Sequence, residues 1–150
     1  MLQKSAKSLL IVASIFMFGF SEPPLEPVRE IADPMLPDIA MVHFAPGKQP
    51  VILYNPVLCR QAGPALCEFY RFHEYGHIVL RHNERDHLSV QEQEREADEW
   101  AARNAPFTSV MAAFRFFSAG GGAFPMHGLS EKRAARMITR QSIEPETKAN

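Results

Sequence analysis

His73-Glu74-Tyr75-Gly76-His77 is the stretch around which the fold of this chain is organised. It has the form H-E-x-x-H and lies in an almost wholly apolar run from residue 64 to about residue 81, which is typical of a buried helix. Residues four apart on a helix share one face, with Cβ atoms about 5–6 Å apart, so the two imidazoles can hold one Zn²⁺. Glu74 can then activate a zinc-bound water. The alternative is a pair of core histidines satisfied by backbone carbonyls.

Gly76 lies in the middle of this helix, where glycine costs about 1 kcal/mol relative to alanine. The sequence therefore predicts that another element approaches the helix backbone closely at this point.

A second helix is predicted from about Val90 to Asn104. The angular positions of its side chains around the helix axis indicate which of them is the third ligand. An S-x-x-E capping box starts this helix, and Val90, Ala97 and Ala101 form its apolar stripe. Glu94 falls about 40° from Val90, on the stripe, where a charge is costly unless it is paired or metal-bound. Three other glutamates lie on the opposite, solvated face: Glu92, Glu96 and Glu99. Glu94 is therefore the predicted third ligand, and the alternative is an ion pair with Arg71 or Arg81.

Two further side chains are candidates for the same site. Asp98, one turn after Glu94, is placed to accept the outer N–H of a ligand histidine, which we assign to His73. His127 follows the glycine-rich segment 120–122 and is a candidate second electrophile, the alternative being an exposed loop histidine. The remaining histidines are predicted to be surface or structural: His43, His82 and His87.

The other elements indicate a small α+β domain. Residues 39–44 and Val51-Ile52-Leu53-Tyr54 are short β-type runs joined by turn residues, which predicts a hairpin. Pro50 and Pro56 bracket the second run and favour an edge strand. Further helices are predicted at 107–117 and 131–140, which gives about four helices in all.

Composition and termini indicate an exported protein. In a chain of 150 residues, Lys4 and Lys7 precede an apolar run, so residues 1–21 match a signal peptide that leaves no stable membrane span after cleavage. The alternative is an uncleaved N-terminal anchor or a buried helix. Residues 22–38 then form a proline-rich arm, 39–140 the domain and 141–150 a disordered tail. Cys59 and Cys67 are expected to pair in an oxidising compartment, the alternative being a cysteine-ligated zinc. A net charge of −1 without a basic block argues against nucleic acid as a partner.

The spacing H-E-x-x-H at 73–77 followed by E-x-x-A-D-x-x-A at 94–101 resembles the gluzincin signature of zinc metallopeptidases. It is similar to the minigluzincins, to the CaaX-protease-like membrane gluzincins and to the phage-repressor-cleaving peptidases. The resemblance implies a zincin-like fold, His73, His77 and Glu94 as ligands, Glu74 as base and Asp98 in support. It also implies that a strand ahead of the histidine helix binds the substrate backbone, a place that residues Val51–Tyr54 occupy. The segment 127–133 resembles a His-Pro-Ser…Arg stretch of the CaaX-like members, with Gly128 where proline is usual.

These observations predict an exported peptidase that hydrolyses peptide or protein substrates with one Zn²⁺ per chain. The alternative from another class is a non-catalytic zinc-binding or protein-interaction domain that keeps the same scaffold. The intact Glu74 argues against the alternative, because a structural zinc site does not need a base.

Overall fold

A computed structural model describes residues 27–122 and 127–138 of the chain. The predicted signal peptide at 1–21 and the predicted tail at 141–150 lie outside these residues. Within them the α+β prediction is confirmed, with three strands, five α-helices and one 3₁₀ turn. No helix in this part of the chain combines the length and apolar character needed to cross a membrane.

The elements follow one another with short connections. In chain order they are β1 (Arg29–Ala32), β2 (Ala40–His43), β3 (Val51–Tyr54), α1 (Pro56–Ala62), α2 (Pro64–Val79), the 3₁₀ turn (His82–Glu84), α3 (Val90–Asn104), α4 (Phe107–Ser118) and α5 (Ser130–Ile138). The histidine helix α2 is central, since the sheet and α1, α3 and α4 all pack against it.

The sheet has the order β1-β3-β2, so β3 is the central strand and the prediction of an edge strand is wrong. β2 pairs antiparallel with β3, which confirms the hairpin, while β1 pairs parallel with the other side of β3. β1 comes from the segment 22–38, which the sequence predicts as an arm. The two prolines do not interrupt the ladder because Pro50 precedes β3 and Pro56 opens α1. Within the described residues the edge strands of the sheet are therefore β1 and β2, and not β3.

Helix α1 is absent from the sequence prediction. Asn55 caps it, with its side-chain oxygen accepting from the backbone N–H groups of Val57 at 2.8 Å and Leu58 at 3.1 Å. The Cys59–Cys67 disulfide then joins α1 to α2, which confirms the predicted pairing and excludes the cysteine-ligated zinc.

Helices α2 and α3 touch through their backbones at Gly76. A Cβ atom at Gly76 would lie 3.2 Å from both the Cα and the carbonyl oxygen of Ala97. This contact confirms the predicted close approach, and it brings the carboxylate of Glu94 on α3 against the two histidines of α2.

The turn after α4 fixes the start of α5. A Cβ at Gly121 would lie 2.5 Å from the ring of Phe116, and Gly122 has a φ of 70°, so both positions require glycine. The Ser130 hydroxyl donates to the Gly121 carbonyl at 2.7 Å and ties α5 to this turn.

Candidate metal centre

The side chains of His73, His77 and Glu94 converge on one buried point between α2 and α3. The two Nε2 atoms lie 3.3 Å apart, and the Glu94 oxygens lie 3.1 Å from Nε2 of His73 and 3.4 Å from Nε2 of His77. His73 is fully buried and the other two side chains are nearly so. This buried His-His-Glu group can hold a metal ion.

The separations between these donor atoms are close to those of tetrahedral coordination, with Glu94 offering Oε2 to His73 and Oε1 to His77. Ligand bonds of 2.0–2.1 Å at tetrahedral angles put neighbouring ligand atoms about 3.3–3.4 Å apart. The three measured separations lie within about 0.3 Å of that value. The three side chains are therefore gathered at distances suited to one ion.

The alternative partners of Glu94 are engaged elsewhere. Arg71 forms an ion pair with Glu30, and Arg81 lies 3.7 Å from Glu84. The alternative reading of Glu94 as a partner of either arginine is therefore wrong in this structure.

Asp98 lies behind His73, with its Oδ1 atom 2.9 Å from Nδ1 of the imidazole. Arg133 donates to both Asp98 oxygens, at 3.0 and 2.8 Å, and Arg136 donates to Oδ2 at 2.8 Å. Burial would raise the pKa of Asp98, but its contacts with His73 and Arg133 hold that pKa well below the usual range. Asp98 is thus a fixed carboxylate in contact with the His73 ring and is placed to orient it.

A second chain of contacts lies behind His77 and was missed from the sequence. His82 is predicted to be surface or structural, and the structure buries it, with 3% of the residue exposed and its Nδ1 2.8 Å from Nδ1 of His77. Glu96, predicted to be solvated, lies 3.2 Å from Nε2 of His82. No periodic pattern could have found His82, because it lies beyond the end of α2.

Glu74 is buried beside the ligands, and its Oε2 atom accepts the backbone N–H of Val42 at 2.8 Å. Burial raises the pKa of Glu74 to about 7, although the nearby charge of His73 and the Val42 N–H oppose the shift. A carboxyl group with this pKa exchanges protons readily near neutral pH.

His127 belongs to the site, so the alternative of an exposed loop histidine is wrong. Its Nδ1 lies 2.6 Å from Glu94 Oε2 and its Nε2 lies 3.1 Å from Asp38 Oδ2. Burial would lower its pKa, but Asp38 and Glu94 raise that pKa to about 9. Both ring nitrogens are engaged within the protein in this arrangement.

The carboxylates favour a positive charge at the centre of the site. Burial alone would lower the pKa of His73, but Asp98 and Glu94 raise it to about 10. Burial would raise the pKa of Glu94, but His127, His73 and His77 hold it far below its usual range. A metal ion is positively charged, and the same carboxylates would stabilise it.

Strand β3, predicted to bind the substrate backbone, has a partner on each side. Its residues Val51, Ile52, Leu53 and Tyr54 pair with both neighbouring strands, so their backbone groups are committed to the sheet. The strand that reaches the site is β2, through the hydrogen bond from Val42 to Glu74.

Replacing Glu94 with alanine is expected to weaken metal binding by about 100-fold or more, because one of three protein ligands is lost. Glu99 on the same helix is the matched control, since it contacts Arg95 away from the site. Zinc titration against a chromogenic chelator measures both variants. Equal affinities in the two variants would contradict the ligand assignment.

The chain was compared with protein-family models, with curated proteins and with solved structures, and none of the three comparisons found a match. The residues and geometry of the site therefore carry the functional proposal.

Proposed function

We propose that the protein is an exported zinc-dependent peptidase of the gluzincin type. The supporting observation is the convergence of three ligand atoms from His73, His77 and Glu94 beside the buried carboxylate of Glu74. Two imidazoles and one carboxylate are the donor set of catalytic zinc sites that leave a fourth position for water or substrate. The resemblance of residues 73–77 and 94–101 to the gluzincin signature supports the same proposal.

Zinc bound at this point would supply a Lewis acid that acidifies water and polarises the scissile carbonyl. Glu74 would accept the proton of the attacking water and pass it to the leaving amine. Burial raises the pKa of Glu74, which suits both transfers because the same group must take and return a proton. Asp98 would hold the His73 ring in the tautomer that leaves Nε2 free to ligate. In this proposal His127 remains a candidate electrophile, and it could contact a substrate only after its contact with Glu94 or with Asp38 is broken.

We place the substrate backbone along β2. Met41 pairs with Leu53, and the carbonyl of Ile39 accepts from Asn55, so the backbone groups of Ile39 and Met41 face β3. The alternation along a strand then turns the backbone of Val42 to the opposite edge, where its N–H meets Glu74. An extended peptide added to this edge would pass the general base. The substrate is therefore a peptide segment able to adopt a β conformation.

Export is supported by the Cys59–Cys67 disulfide, because such bonds persist in oxidising compartments. A periplasmic or extracellular location follows from the same proposal, together with the signal-peptide pattern at residues 1–21.

The test is metal removal and restoration on the purified full chain. We expect one equivalent of zinc per chain and hydrolysis of members of a fluorogenic peptide library. A chelator should abolish hydrolysis, and added Zn²⁺ should restore it. Stoichiometric zinc without cleavage of any peptide would favour the non-catalytic zinc-binding domain instead. Absence of zinc binding would contradict the metal centre itself.

A further inference from the structure

The chain reverses direction immediately after α2 and returns an imidazole to the metal centre. Arg81 adopts a left-handed conformation with φ of 52°, the one non-glycine residue with positive φ in the described part of the chain. The 3₁₀ turn that follows begins with His82, which is buried although it lies in a polar loop. A conformation that side chains disfavour thus places this histidine against the end of the ligand helix.

His82 joins His77 to a charged pair. The two rings lie edge to face with centroids 4.8 Å apart, and their Nδ1 atoms are separated by 2.8 Å. On its other side Nε2 of His82 lies 3.2 Å from Glu96 Oε2. Arg85 donates to the same Glu96 oxygen at 2.6 Å. The four side chains form one continuous series of contacts from the ligand to the protein surface.

One arrangement of protons satisfies every contact in this series. His77 can ligate through Nε2 when its proton is on Nδ1, and this N–H then donates to Nδ1 of His82. His82 must in turn carry its proton on Nε2, from which it donates to Glu96. The Glu96 carboxylate accepts from both His82 and Arg85. The tautomer of one imidazole therefore sets the tautomer of the other.

We propose that His82 is a positioning residue that orients His77 and holds its ligating tautomer. The inference rests on the metal centre of the proposed function, and it extends to a residue that is not itself a ligand. The two ligand imidazoles are then supported differently. His73 meets a carboxylate directly, whereas His77 meets a carboxylate through a second imidazole.

Two substitutions of His82 distinguish the loss of its hydrogen-bond acceptor from the loss of its ring volume. His82→Leu fills similar space without an acceptor and is expected to weaken zinc binding about 10–100-fold. His82→Asn keeps an acceptor near the position of Nδ1 and is expected to stay within a few-fold of wild type. Zinc affinity is measured by chelator competition, and the imidazole ¹⁵N shifts of His77 report its tautomer. Thermal unfolding in chelator shows whether the metal-free fold survives.

His87→Leu is the matched control, because His87 is an exposed histidine of the same loop. Equal zinc affinity in wild type and His82→Leu, or equal loss in the leucine and asparagine variants, would overturn the positioning role. Glu94→Ala is measured in parallel. If that variant loses zinc while His82→Leu does not, the positioning role alone fails. If Glu94→Ala binds zinc like wild type, the metal centre fails.

Discussion

Replacing Glu74 with glutamine is expected to lower the rate of peptide hydrolysis by about 10²–10⁴-fold, because glutamine cannot accept a proton. Zinc content should stay unchanged, since Glu74 is not one of the three converging ligands. The fold should also persist, because the glutamine side-chain oxygen can still accept the Val42 N–H. The values of kcat/KM and the zinc content of wild type and variant together check this expectation.

Glu84→Gln provides the matched control, because Glu84 is an exposed residue whose ion pair with Arg81 spans 3.7 Å. It should retain the wild-type rate. Retained cleavage in Glu74→Gln would remove Glu74 from its proposed role, and loss of zinc in that variant would make it a ligand instead of a base.

The pH dependence of kcat/KM follows from the same carboxyl group. Burial raises the pKa of Glu74 to about 7, and the group must be deprotonated to act as base. The rate should therefore rise with pH on the acid side. A bound cation stabilises the carboxylate and lowers its pKa, so the midpoint should lie at or below about pH 7. A midpoint well above that pH would argue against Glu74 as the titrating group.

Replacing Arg133 with methionine is expected to lower the free energy of unfolding by about 3–5 kcal/mol. Arg133 and Asp98 are both fully buried and joined by two hydrogen bonds. The guanidinium also lies 4.2 Å from the ring centroid of Phe117. Without Arg133 the carboxylate keeps Arg136 and the contact with His73, and a buried charge that has lost its two-bond partner is costly. Chemical denaturation of the wild type and the variant measures the difference.

The double variant Arg133→Met with Asp98→Asn tests the cause. It removes both buried charges and should recover part of the lost stability, because no uncompensated carboxylate remains. Arg115→Met, at an exposed position of α4, should change the free energy of unfolding by less than about 0.5 kcal/mol. A loss below about 1 kcal/mol in Arg133→Met would show that Arg136 and His73 are enough to satisfy Asp98.

The three residues of the His-His-Glu group could be identified from sequence because both of their helices are regular. Rotation by about 100° per residue decides which side chains share a face, and α2 and α3 obey that rule over their whole length. Asp98, one turn after Glu94, follows from the same geometry. Gly76 also predicted the point at which another element approaches α2 most closely, and that element is α3.

The missed features depend on contacts between residues distant in sequence or on rare backbone conformations. β1 is a four-residue strand in a proline-rich segment, and it forms because β3 offers an unpaired side. His82 reaches His77 through the left-handed Arg81, a conformation that a sequence gives no reason to expect outside glycine. Arg133 stands on the buried face of α5, where its partner Asp98 cannot be recognised from α5 alone.

The contact between Gly76 and Ala97 restricts how this chain can vary. The close approach of α2 and α3 depends on the absence of a side chain at Gly76, since a Cβ there would lie 3.2 Å from the backbone of Ala97. A side chain at Gly76 would press on the backbone of Ala97 and require a shift of a few tenths of an ångström between the helices that carry the two imidazoles and Glu94. The distance between the helices that carry the two imidazoles and Glu94 therefore depends on the contact between Gly76 and Ala97, neither of which offers a ligand atom. Substitution of Gly76 should therefore disturb the metal centre although this residue offers no ligand atom.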